Sequence, residues 1–130
     1  MRNVLFVCEH GAAKSVVAAA LFRDRVGRSG GTTTATARGI NPDDAIPPTV
    51  LTGLRCRGLE PGDSVPQRVS VQDLAGADLV VTFALDLAHQ PATTRRERWD
   101  DIPSVSSDFD AAFEAISARV DALLADAAER

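Results

Sequence analysis

The stretch Asn3-Val4-Leu5-Phe6-Val7-Cys8-Glu9-His10-Gly11-Ala12-Ala13-Lys14-Ser15-Val16-Val17-Ala18-Ala19-Ala20-Leu21 decides the fold. Val4 to Val7 is a continuous apolar run of the kind that forms a strand buried on both faces. A loop of small residues follows, opened by Cys8 and closed by Lys14-Ser15. From Ser15 to about Val26 the positions Val16, Ala19, Ala20 and Phe22 distribute over successive helical turns. A strand feeding a helix start aims backbone N–H groups, and the positive end of the helix dipole, at one place. Such a place suits an anion, and it favours the thiolate form of a nearby cysteine, which is the nucleophilic form.

Outward from this stretch, strand and helix signals alternate. Gly27 to Gly31 is a turn, and the β-branched run from Thr32 to Ala37 reads as a second strand. Asn41-Pro42-Asp43-Asp44 breaks the chain, and Pro47-Pro48 opens a short helix to about Arg55. Glu60-Pro61-Gly62-Asp63 is a turn, and Val71 to Ala75 gives one helical turn. Leu79 to Phe83 is a second buried strand, and Arg98-Trp99-Asp100 marks a short fourth. The final helix opens with a capping pattern at Ser107-Asp108-Phe109-Asp110. Its apolar stripe is Phe109, Phe113, Ile116, Val120, Leu123 and Leu124. Alternating strands and helices predict an α/β fold with a parallel sheet covered on both faces. In such sheets ligands lie beyond the carboxyl ends of the strands, where Cys8 falls.

The chain of 130 residues, 45% hydrophobic, is long enough for one domain, 1–130, with its own core. A net charge of -4 with scattered basic residues argues against a nucleic-acid partner. The cluster Arg95, Arg96 and Arg98 reads as a solvated loop or strand edge, or as a recognition site for an acidic partner. Two cysteines, Cys8 and Cys56, make neither a disulfide framework nor a zinc site, and fit a reducing cytoplasm. Glu9, His10 and Lys14 interrupt the apolar start, leaving it shorter than the h-region of a secretory signal, and no window is apolar enough to span a membrane. No metal site or cofactor motif is legible, and His10 and His89 stand apart.

Each loop position has a chemical reading. Cys8 is the nucleophile, and the backbone of Glu9, His10, Gly11, Ala12, Ala13, Lys14 and Ser15 is the anion cradle. Gly11 can take a left-handed conformation, Ala12 and Ala13 keep the loop slim, and Lys14 adds a positive charge. Ser15 is placed to cap the helix and to hydrogen-bond the thiolate. Glu9 would repel an anion and is expected to face solvent. His10 is either a rim side chain or a proton carrier. The competing reading of Cys8 is a small buried hydrophobe ending a strand. Cys56 reads as structural rather than as a resolving partner of Cys8.

The loop Cys-x5-basic-Ser after a buried strand resembles that of the low-molecular-weight protein tyrosine phosphatase superfamily, which includes thioredoxin-coupled arsenate reductases. Asp78 to Phe83 resembles the family's later strand, and Trp99-Asp100-Asp101-Ile102-Pro103 the segment that carries its Asp-Pro acid. The resemblance implies a single-domain, four-stranded parallel sheet flanked by helices, of the phosphatase-I type. It also has departures. Lys14 stands where the family has arginine, in a chain whose other thirteen basic Lys/Arg residues are all arginine. Arginine offers phosphate a planar fork, lysine a point charge. The acid is either Asp100 or Asp101, or, in the other alignment of Ile102-Pro103, has become Ser104. With no tyrosine in the chain, the aromatic wall often seen in the phosphatases is either missing or built from Trp99 or phenylalanine. Ala84 to Gln90 contains no thiol for an intramolecular disulfide relay.

The resemblance implies a metal-independent, cofactor-free phosphatase acting through a phosphocysteine on a phosphorylated protein or small phosphomonoester. Catalysis would fall to Cys8, Lys14, Ser15 and Asp100 or Asp101. The alternatives are an arsenate reductase using an external small thiol, and a non-catalytic oxyanion-binding module.

Overall fold

The computed structural model describes residues 2–62, 65–87 and 94–128, with no side-chain description for 127–128. Asp63, His89 and Gln90, which figure in the sequence reading, lie outside the described residues. The elements run β1 (Asn3–Cys8), α1 (Lys14–Arg28), β2 (Thr34–Gly39), α2 (Pro48–Arg55), α3 (Val71–Gly76), β3 (Leu79–Phe83), β4 (Arg95–Trp99) and α4 (Phe109–Ala128). The four strands form one sheet in the order β2-β1-β3-β4, every pairing parallel. The chain therefore steps from β1 to one side and returns to the other, so the strand order reverses at β1. The crevice beyond its carboxyl end is where open α/β sheets take their ligands.

Both central strands are buried along their length, β3 completely. Alternation sends Val4, Phe6 and Cys8 to one face and Leu5 and Val7 to the other. The first face packs on α1, α2 and α4 through Leu21, Phe22, Val50, Leu54, Ile116 and Val120. Phe6, Phe22, Phe83 and Trp99 meet there edge-on or tilted, with centroids 5.4–6.0 Å apart. The second, smaller cluster packs Leu5, Val7 and Val80 under Leu74 and Ala77 of the α3 region. Cys8 thus belongs to the face shared with α1, the helix that starts the loop's far side.

Several expected boundaries move. The fourth strand covers Arg95–Trp99, not residues 98–100, and its burial alternates until Trp99. The arginine cluster is accordingly a strand edge, with Arg95 paired to Asp126 at 2.7 Å and Arg98 to Asp86 at 3.0 Å. The last helix is capped by Asp108, whose Oδ1 accepts from the Ala111 N–H at 3.1 Å, and not by Ser107. A reciprocal capping box appears instead at α3, between Ser70 and Asp73. Among the described residues no helix is long and apolar enough to cross a membrane.

Candidate active site

The loop between β1 and α1 is held from behind by the residues after β2. Ile40 N–H donates to the Cys8 carbonyl (3.2 Å), Asn41 N–H to that of Glu9 (2.8 Å) and Asp43 N–H to that of His10 (3.1 Å). A trans peptide points its N–H opposite to its carbonyl, so the amides of Glu9, His10 and Gly11 turn away from residues 40–43. Among the described residues no acceptor receives the N–H of Glu9, His10, Gly11, Ala12 or Ala13. The first-turn amides of α1 are unpaired by construction, and Ala13 precedes them with no side-chain cap. No acidic residue occupies that first turn. A run of free donors thus ends at the positive end of a 15-residue helix.

The helix begins at Lys14, one residue before the expected start, which corrects the reading of Ser15 as its cap. Ser15 is fully buried, and its Oγ lies 3.0 Å from Cys8 Sγ. At that distance the hydroxyl and the sulfur are in hydrogen-bond contact, and either can be the donor. Cys8 is 6% exposed, buried on the sheet side yet lining a cavity of about 250 Å³. The other lining residues are Glu9, His10, Ala13, Lys14, Phe83, Ser104, Val105 and Ser106. Lys14 is half-buried, and no carboxylate among the described residues forms a salt bridge with it. Its charge is thereby available to an occupant of the cavity.

Glu9 lines the cavity as an exposed side chain, its Oε1 accepting from Asn41 Nδ2 at 2.8 Å. His10 also stands at the opening, its side chain 62% exposed and its Nδ1 3.3 Å from Asp43 Oδ1. Phe83 is the aromatic side chain among the cavity's lining residues; Trp99, also considered for an aromatic wall, is 1% exposed inside the core and is not among them. Phe83 is followed by Ala84 in a left-handed conformation, φ 56°, whose N–H donates to the Trp99 carbonyl at 3.0 Å.

Asp100 and Asp101 are not among the cavity-lining residues, contrary to the expectation that one of them faces the loop. Asp100 receives a hydrogen bond from Arg98 Nε at 2.6 Å, and Asp101 pairs with Arg119 at 3.2 Å. The segment that follows them reaches the cavity through Ser104 instead. Cys56 is exposed at the end of α2 and, like Cys8, is a free thiol. Among the described residues no three His, Cys, Asp or Glu side chains cluster as metal ligands. The contribution of Asn41 and Asp43 escaped the sequence reading, which took them only as a chain break. Their placement just past the strand beside β1 was the available signal.

No curated protein matches the chain. Among solved structures, a low molecular weight protein tyrosine phosphatase from T. tengcongensis aligns with a TM-score of 0.86 at 18% identity, covering 97% of this chain and 99% of that one. YfkJ from Bacillus subtilis aligns with a TM-score of 0.84 at 24% identity over 99% and 96%. A thioredoxin-dependent arsenate reductase from Corynebacterium glutamicum aligns with a TM-score of 0.83 at 24% identity over 97% of this chain. The chain spans 61% of that reductase. At these identities the three likenesses speak for the fold. A sequence profile described as low molecular weight phosphotyrosine protein phosphatase matches residues 3–128, nearly the whole length. With the strand, loop and helix described above, the chain belongs to that family.

Proposed function

We propose that this protein is a metal-independent phosphatase of the protein-tyrosine-phosphatase type, with Cys8 as nucleophile. The observation that carries the reading is the 3.0 Å approach of Ser15 Oγ to Cys8 Sγ, in a cavity that Lys14 lines with no carboxylate salt bridge among the described residues. Cys8 Sγ attacks phosphorus as the bond to the leaving oxygen breaks, giving a phosphocysteine. The backbone amides of Glu9 to Ala13 and the Lys14 ammonium hold the equatorial oxygens, which is electrostatic stabilisation by donors already in place. Water then attacks phosphorus, the S–P bond breaks, and phosphate leaves. The substrate is a phosphorylated protein or a small phosphomonoester.

The test is turnover of an aryl phosphate together with mass spectrometry of acid-quenched protein. Turnover that vanishes in Cys8→Ser, and a phosphoryl adduct on the wild-type Cys8 peptide, bear the reading out. A Cys8→Ser protein as active as wild type ends it. Tm raised by phosphate without any turnover indicates an anion-binding module instead.

One observation favours a second reading. Neither Asp100 nor Asp101 lines the cavity, so chemistry with little need of a carboxylic acid gains weight. Attack of Cys8 on arsenate, completed by an external small thiol, is such chemistry. Arsenite formation that depends on added thiol, with negligible phosphatase activity, would establish it.

A further inference from the structure

The cavity has titratable side chains besides Cys8 and Lys14 only in Glu9 and His10 among its lining residues. Glu9 is engaged by the Asn41 amide at 2.8 Å. His10 has a different setting. Its Nδ1 lies 3.3 Å from Asp43 Oδ1 and 3.4 Å from the Asn41 carbonyl oxygen. Both partners are acceptors, so Nδ1 carries a proton, and the tautomer leaves Nε2 as the exchanging nitrogen. A carboxylate and a carbonyl on one ring nitrogen thus fix the orientation of a general acid–base at the other.

Resting on the phosphatase reading, we infer that the His10–Asp43 pair supplies the leaving-group proton in this site, in place of a carboxylic acid. His10 is the proton donor and Asp43 its positioning residue. As Sγ bonds to phosphorus and the P–O bond breaks, Nε2–H transfers its proton to the departing oxygen. The neutral imidazole then takes a proton from the water that attacks phosphorus, and the cycle closes with His10 protonated. Of the charged groups near the ring, Asp43 stands on the loop after β2, and Glu9 and Lys14 line the same cavity as His10. The segment after β4 contributes Ser104 and Ser106, which carry no charge. His10 lines the cavity with its side chain 62% exposed, and Asp43 beside it is 49% exposed.

The test compares phenyl phosphate, whose phenol ionises near 10 and gains from protonation, with activated 4-nitrophenyl phosphate. General acids contribute about 10²–10⁴-fold. In His10→Asn, kcat/KM for phenyl phosphate should fall at least about 100-fold further than for the nitrophenyl ester. Asp43→Asn should move the ratio in the same direction by a smaller factor and displace the pH profile. A structural defect would lower both esters alike, so equal losses overturn the assignment. An unchanged ratio alongside intact Cys8-dependent turnover overturns it too, while leaving the phosphatase reading standing. Absence of Cys8-dependent turnover with either ester defeats both.

Discussion

Gly11 and Gly39 lie backbone against backbone: a Cβ on Gly11 would sit 2.7 Å from the Gly39 nitrogen, and one on Gly39 2.6 Å from the Gly11 nitrogen. Gly11 also holds φ 61°. The loop that carries the free amides is therefore pressed onto the end of β2, and the bonds from residues 40–43 to the carbonyls of Cys8, Glu9 and His10 follow from that approach. Side chains at either glycine would lever the loop off its support.

Alanine at the two positions should therefore have graded effects. Gly39→Ala forces a backbone clash and should cost about 1–3 kcal/mol, the range for overpacking. Gly11→Ala adds a left-handed backbone penalty of about 1–2 kcal/mol. Urea denaturation should rank them wild type, Gly39→Ala, Gly11→Ala in falling stability. Equal stability of all three would mean that the contact can relax at no cost.

The Ser15 hydroxyl is fully buried beside sulfur, so its removal acts on reactivity more than on packing. Ser15→Ala should slow iodoacetamide alkylation of Cys8 at neutral pH by about tenfold, the equivalent of one modest hydrogen bond of roughly 1.4 kcal/mol. Alkylation is read peptide by peptide, with exposed Cys56 as the internal reference. An unchanged Cys8 to Cys56 ratio would show that the hydroxyl does not hold the thiolate.

Lys14 presents its ammonium to the cavity with no carboxylate salt bridge among the described residues. Loss of one oriented donor costs about 10²–10³ in rate, and Lys14→Ala should show that loss in kcat/KM on an aryl phosphate. Lys14→Arg, which restores a planar fork, should preserve or raise turnover. A Lys14→Arg protein as impaired as Lys14→Ala would mean that the cavity is shaped to a slender ammonium.

The near wall of the site was legible in the sequence, and the far wall was not, for a physical reason. An apolar run, one glycine and a lysine–serine pair encode β1, the loop and α1 locally, and the structure departs in starting α1 at Lys14 and in carrying it through Gly27 and Arg28, which read as a turn. The far wall is built by the segment after β4, whose position depends on a strand read poorly from its residues. Arg95, Arg96, Glu97 and Arg98 show no apolar alternation because β4 is an edge strand, and Trp99 alone is fully buried. Without that strand's register, Ile102-Pro103 admitted two alignments, and which side chain reached the cavity was open. The turn in which the Ser104 carbonyl accepts from Asp108 N–H at 3.0 Å delays the last helix past Ser107. A turn of that kind is invisible to a capping pattern.

The two alignments make opposite predictions for Asp100 and Asp101. Both carboxylates are tied to arginines, Arg98 and Arg119, and neither lines the cavity. Asp100→Asn and Asp101→Asn should each change kcat/KM by less than about threefold, far below the 10²–10⁴ of a general acid. A hundredfold loss in either would restore that aspartate as the acid, and would require the segment after β4 to move on substrate binding.

The last prediction concerns acid stability. The Asp78 carboxylate accepts from the backbone N–H groups of Arg2 and Asn3 at 2.7 and 2.8 Å, pinning the start of β1 beside β3. The Asn3 bond first, then the Arg2 bond, hold its carboxyl below the ordinary 3.8. A depressed folded-state pKa contributes stability that is fully present above the unfolded value and is lost as pH falls through the folded one. Asp78→Asn should thus be less stable than wild type near neutrality, by under about 1 kcal/mol because the carboxylate is exposed and screened. The gap should narrow progressively as pH drops below about 4. Chemical denaturation of both proteins across that range reads the difference directly. A gap that stays constant from neutral pH into strong acid would show that the Asp78 charge contributes nothing to the pin, leaving only the shape of the side chain.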